Sequence, residues 1–231
     1  MLRVSCLLLS YFLLSSSAFR CDYKHDKRVD IEGIQKWPDN TIPYEIDDAY
    51  SPSERQLIAE SLAELSTKTD NCVRFIPRTD SHPNYVRVLS KTGCWSGVGM
   101  SWQGGLQELS LDRSGCMTKD TVIHEFLHAL GFNHEQTRPD RNQYIKVLYE
   151  NVQPDHKHNY DISPAAAIQS AGLPYDFNSI MHYGFSDFTS NGLPVMVTVA
   201  DDTKQWRYTM GTGNKLTESD LLKVKKIYGC T

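Results

Sequence analysis

No apolar run in this sequence approaches the roughly 20 residues a membrane-spanning helix needs. A long block of like charge is missing too. The 28 acidic and 24 basic residues interleave to a net charge of -4, which leaves no basic face for nucleic acid. No Asn-x-Ser/Thr triplet occurs, so no N-linked glycan is expected. There is no internal repeat and no Pro/Gly/Ser-rich linker, and 10% aromatic content excludes the disordered classes. What remains is one domain of ordinary size in 231 residues. Neither a nucleic acid nor a membrane is an expected partner, and a monomer is the expected state.

The N-terminus reads as a processing segment. Arg3 supplies a positive start, Leu7 to Leu14 is a short apolar stretch, and Ser16 and Ala18 are small at signal-peptidase spacing. Residues 1–18 are therefore expected to be a signal peptide, and the protein to be secreted into an oxidising compartment. Cys6 leaves with that segment and turns six cysteines into five. An odd count in a secreted chain calls for an explanation. Lys27-Arg28 is a dibasic pair in a polar stretch, the kind of site a processing protease cuts.

Beyond it, Ser51-Pro52-Ser53-Glu54 announces a helix. Ser51 can cap, Pro52 suits the first turn, and Glu54 completes a capping box. Leu57, Ile58, Leu62 and Leu65 recur at helical spacing. Strand-like runs follow at Cys72 to Ile76, Tyr85 to Leu89 and Leu106 to Leu111, each bounded by turn residues. A second helix is expected from the cap Thr118 to Leu130, stopped by Gly131. The pattern then weakens into loops until a last helix near Thr217 to Tyr228, with Leu221, Val224, Ile227 and Tyr228 on one side. Helices and strands in separate runs give an α+β domain.

The second helix carries His124-Glu125-Phe126-Leu127-His128. Histidines four apart lie one turn apart on one face, so both imidazoles can reach one metal ion. Glu125 projects beside that ion rather than onto it, which suits a base acting on water. Gly131 frees the chain to turn back and bring His134 round as a third ligand. Three protein ligands leave an open position, which is the catalytic arrangement. With 8 histidines in the chain, His-Glu-x-x-His is expected by chance only roughly 0.01 times, and far less with Gly131 and His134 added. From spacing alone, His82, His156 and His158 read as loop residues, and Met181 and Tyr183 as core.

The full string HEFLHALGFNHEQTRPDR contains the metzincin motif HExxHxxGxxH. Glu135 after the third histidine, Arg138 and Asp140 just beyond it, and Ser179-Ile180-Met181-His182-Tyr183-Gly184 further on resemble the astacin branch of zinc metallopeptidases. Gly93-Cys94-Trp95-Ser96, Gly104-Gly105 and Leu109-Ser110-Leu111 resemble that family's segment before the zinc helix. The likeness runs from about Trp37 to Cys230, in the family's order. It implies a two-lobed catalytic domain: a twisted sheet with antiparallel character at its edge, a zinc-site helix, and an irregular C-terminal lobe ending in a helix. It implies one zinc per chain, held by His124, His128 and His134, with Glu125 as general base. Met181 would form the hydrophobic floor under the ligands, and Tyr183 would bind the oxyanion. Protein or peptide substrates would lie along Leu106 to Leu111 as the rim of the cleft.

The resemblance also bears on maturation. Counted back from Trp37 and Pro43, the family's mature N-terminus falls near Lys27-Arg28. That implies a pro-segment over residues 19–28, an activating protease cutting after Arg28, and a peptidase domain over 29–231. The amino group freed at Val29 would meet Glu135. Four cysteines would remain, and of their three possible pairings the resemblance selects Cys72–Cys230 and Cys94–Cys116. The family's usual Phe-x-Gly-Asp latency motif is missing from FRCDYKHDKR, so Cys21, Asp22 or Asp26 is left to block the zinc, Cys21 as the thiolate that zinc favours. The rival readings are a catalytically silent binding protein of the same fold and a peptidase of another metzincin branch. Against the first, no ligand and no base is missing; against the second stand Glu135, Met181 and Tyr183.

Overall fold

A computed structural model describes residues 35–199, 210–211 and 215–230, without the side chains of residues 167 and 168. The signal segment, Cys21, Asp22, Asp26, Arg28 and Val29 lie outside the described residues. Strands β1 (Thr41–Ile46), β2 (Arg74–Pro77), β3 (Tyr85–Leu89), β4 (Cys94–Ser96) and β5 (Leu106–Leu111) form one sheet in the order β2-β1-β3-β5-β4. Three of its pairings are parallel, and only the edge strand β4 runs antiparallel, against β5. Pro43 is tolerated in the interior strand β1 because pairing with β3 starts only at Tyr44.

Here one expectation is corrected. Leu106 to Leu111 is not the rim of the sheet, because β5 is hydrogen-bonded to β3 on one side and β4 on the other. The edge on that side belongs to β4, only three residues long, whose sequence Cys-Trp-Ser carries too little alternation to be read as a strand, and β2 forms the opposite edge.

Helix α1 (Pro52–Lys68) begins as its cap residues dictate. Ser51 accepts from the Glu54 amide, and the Glu54 carboxylate accepts from the Ser51 amide at 2.7 Å. Helix α2 (Lys119–Ala129) is capped by Thr118, whose hydroxyl accepts from the Thr121 amide. Its middle turns are buried all round, from Thr121 to Ala129. Val122, Ile123, Phe126 and Leu127 make one apolar face, and the opposite face, equally buried, carries His124, Glu125 and His128. Tyr44 and Phe75 meet Phe126 edge-on, at 6.3 and 5.4 Å between ring centroids. Full burial of a side chain such as Phe126 stabilises the fold by about 1.5–3 kcal/mol.

This packing forms the first of two core clusters and includes α1, α2, the sheet, Ile180 and Met181. The second holds Ile145, Val152, Tyr160, Tyr175, Tyr183, Phe188, Val195 and Met196. It is braced by the two short strands β6 (Ile145–Val147) and β7 (Met196–Thr198), which pair antiparallel; a short helix α3 (Ala165–Gln169) lies between them in sequence. Two cores give the chain two lobes. The final helix, α4 (Glu218–Tyr228), starts at Thr217 with a capping box to Asp220 and stops at Gly229 in the left-handed conformation. Disulfides join Cys72 to Cys230 and Cys94 to Cys116, with Cα separations of 5.7 and 5.8 Å. The first ties the end of α4 to the start of β2, and the second ties β4 to the approach to α2.

Candidate metal centre

Helix α2 sets His124 and His128 on one face, with ring centroids 4.8 Å apart. Past Ala129 the chain turns at Gly131, where φ of 110° lies in the region that favours glycine. The turn returns His134 to the same spot. Its Nε2 lies 3.2 Å from the Nε2 of His124 and 3.2 Å from that of His128. The two helix rings are oriented from behind: Nδ1 of His124 donates to the Ile180 carbonyl at 2.7 Å, and Nδ1 of His128 to the Phe132 carbonyl at 2.6 Å. With the proton on Nδ1, both Nε2 atoms present lone pairs to His134.

All three rings are buried. Burial pushes His124 down to about 4 and, together with the charge of His124, His128 down to about 3. Burial and the two neighbouring histidines hold His134 well below the usual range. Near neutral pH the site is therefore three uncharged imidazoles. A proton on His134 could satisfy one of the two Nε2 contacts but not both, whereas a cation between the three satisfies all of them. Nitrogens about 2.0–2.1 Å from a tetrahedral ion stand about 3.3 Å apart, close to the separations here. Neutral imidazole is a donor that suits zinc, so the residues fit the ion. Among the described residues this is the one group of His, Cys, Asp and Glu close enough to hold a metal.

Glu125 is completely buried in α2 between the two helical ligands. Met181 is buried in the first core cluster, and its carbonyl accepts from the Glu135 amide at 2.9 Å. Tyr183 belongs to the second cluster and sets its ring 4.3 Å from the His134 ring. The turn carrying both residues thus spans the two lobes at the metal centre. His182 between them points elsewhere, bonded to the Tyr175 hydroxyl and the Tyr183 carbonyl. His156 stacks on Phe188, and His82 closes a loop with Thr79.

Three supporting residues escaped the sequence reading. Gln136, fully buried, accepts from the Tyr183 amide at 3.1 Å. Asp220 accepts from the Ser179 hydroxyl at 2.6 Å and the Ile180 amide at 3.0 Å. It thereby fixes the residue whose carbonyl orients His124. Burial raises the Asp220 carboxyl above the usual carboxylate range, against the pull of Lys223. Lys223, also buried, donates to Glu135 Oε2 at 2.6 Å. The expected partner of Glu135, the amino group of Val29, lies outside the described residues. Asp220 and Lys223 had a readable context, the buried face of an amphipathic helix, but polar residues beside such a stripe ordinarily face solvent.

The family model of the Astacin peptidases matches residues 30–229. Zinc metalloproteinase nas-15 of Caenorhabditis elegans is 40% identical over 197 residues, covering 85% of this chain and 33% of its own length. Blastula protease 10 of Paracentrotus lividus is 37% identical over 210 residues, covering 88% of this chain and 34% of its own length. The chain thus spans about a third of these curated relatives. Among solved structures, high choriolytic enzyme 1, a hatching enzyme zinc-protease from the medaka Oryzias latipes, superposes with a TM-score of 0.76 at 34% identity. That match covers 86% of this chain and 95% of that one.

Proposed function

This chain belongs to the astacin family of peptidases, and from that premise we propose that it is a secreted zinc endopeptidase that hydrolyses peptide bonds in proteins. The observation that carries the reading is the convergence of three buried, neutral imidazoles at 3.2 Å, with a buried carboxylate one residue past the first of them. His124, His128 and His134 would hold the ion through Nε2. When bound, zinc supplies Lewis acidity that polarises a carbonyl and lowers the pKa of water.

The rest of the chemistry falls to the protein. Glu125 takes a proton from the attacking water as the carbon–oxygen bond forms. It returns that proton to the departing nitrogen as the carbon–nitrogen bond breaks, acting as base and then acid. The Tyr183 hydroxyl donates a hydrogen bond to the developing oxyanion. The two Nδ1–carbonyl bonds of His124 and His128 keep the ligands aimed through the cycle. An extended substrate is placed along the free edge of β4, read through its backbone. Residues 1–18 act as the signal peptide, residues 19–28 as a short pro-segment, and an activating protease cuts after Arg28. Cys21 is the first choice of latch on the zinc before that cut. N-terminal sequencing of the active secreted form should read Val-Asp-Ile-Glu, and a start at Phe19 would refute the processing scheme.

The test is cleavage profiling on a peptide library with and without a zinc chelator. Internal peptide bonds should be cut, the activity should vanish with the chelator, and readded zinc should restore it. Cleavage that survives the chelator, or no cleavage of any peptide by the processed, zinc-loaded protein, overturns the reading.

A further inference from the structure

Two of the three ligand rings are held by carbonyls at Nδ1. His134 is held by the Thr137 hydroxyl on its carbonyl at 2.7 Å, by the Tyr183 ring 4.3 Å away, and through the anchoring of its chain neighbour Glu135. Glu135 is fixed at every polar group. Its amide donates to Met181, its Oε1 accepts from Arg138 at 2.9 Å and from the Asp176 amide at 3.0 Å, and its Oε2 accepts from Lys223 at 2.6 Å. The Glu135 and Lys223 side chains are each only 5% exposed. Arg138 is itself clamped by both Asp140 oxygens, at 2.9 and 2.8 Å. It is shared between two carboxylates, while Lys223 gives its charge to Glu135 at the shortest distance in the cluster.

A lysine in the middle of the buried face of α4 is costly to desolvate, so its charge needs a partner of opposite sign in place. Glu135 meets that need from 88 residues away in sequence. A small cavity behind the metal centre is lined by His134, Glu135, Met181, Asp220 and Lys223. The pair therefore lies against the ligand His134 and the Met181 turn rather than on a remote surface.

We propose that Lys223 is a positioning residue for the metal centre: it supplies from within the folded domain the cation that Glu135 requires. It takes the place that the resemblance assigned to the amino group of Val29. His134 is then held in line whether or not a new N-terminus reaches the cavity. This inference rests on the zinc peptidase reading, but its first readout is metal affinity, which that reading does not decide.

The experiment uses the full chain, secreted and processed, with zinc affinity measured by competition against a chromogenic chelator and peptide turnover measured alongside. Lys223→Met should weaken zinc binding by about 10-fold, the lower end of the loss seen when a direct partner of a ligand is removed, because Lys223 acts on His134 through Glu135. Lys223→Arg, which keeps the charge, should stay within about threefold of the parent. One alanine inserted between Arg28 and Val29 shifts the mature amino group by about 3.5 Å. With N-terminal sequencing confirming the added residue, zinc affinity and kcat/KM should both stay within about threefold. Parental zinc affinity in Lys223→Met overturns the proposal. A tenfold or greater loss on adding the alanine also overturns it, because the amino terminus would then be the cation that matters. If Lys223→Met does not fold, the alanine insertion and Lys223→Arg still decide. If no form cleaves any peptide while the zinc affinities behave as expected, the peptidase reading fails and the role of Lys223 stands.

Discussion

At Tyr183 one substitution can separate metal binding from the proposed oxyanion contact. Its ring lies against His134 and within the second core cluster, so Tyr183→Phe preserves the packing and removes only the hydroxyl. Turnover is expected to fall by about 10²–10³-fold, the usual loss for one oxyanion donor, with zinc content unchanged. Equal turnover in the two proteins would end the oxyanion assignment. The ligand histidines make a second prediction at this scale. Their folded-state values lie below the ordinary 6.5, at about 4 for His124 and about 3 for His128. The unfolded chain therefore binds more protons as pH falls. The contribution of these two histidines to the stability of the chelated, metal-free protein is full above about 6.5 and is lost progressively between about 6.5 and 3. Urea unfolding midpoints measured across that range should fall with pH, and a flat series would contradict the burial argument.

Among the elements, α2 is the one on which the site depends. Thr118→Ala removes the cap that accepts from Thr121 and should cost about 1 kcal/mol in urea unfolding. This start was readable in the sequence, as was the cap at Ser51, because a capping residue acts within three positions of itself. Tyr85–Leu89 and Leu106–Leu111 were equally readable, being long enough for a strand pattern. Strands β4, β6 and β7 were not. Each is three residues long and exists because a neighbour pairs with it. The edge of the sheet was misassigned for the same reason: a strand's neighbours are a tertiary fact. The metal ligands were readable because two share a helix and a glycine brings back the third. Lys223 was not, since nothing local marks a lysine whose partner lies 88 residues away.

At the level of the whole molecule, the metal centre is where the two lobes meet, with Met181 in one core and Tyr183 in the other. The disulfides hold this arrangement unequally. Cys72–Cys230 spans 158 residues and Cys94–Cys116 spans 22, so loop-closure entropy assigns about 5 kcal/mol to the first and about 3 to the second. Serine pairs at each bridge, compared by urea unfolding, should show the larger loss for Cys72–Cys230. The central claim is that this frame presents a metal site with Glu125 as the proton carrier. Its most direct test is Glu125→Gln, assayed for bound zinc and for peptide hydrolysis in the same preparation. One zinc per chain with turnover reduced by at least about 10²-fold is the predicted result. One zinc per chain with turnover near the parent's would contradict the account.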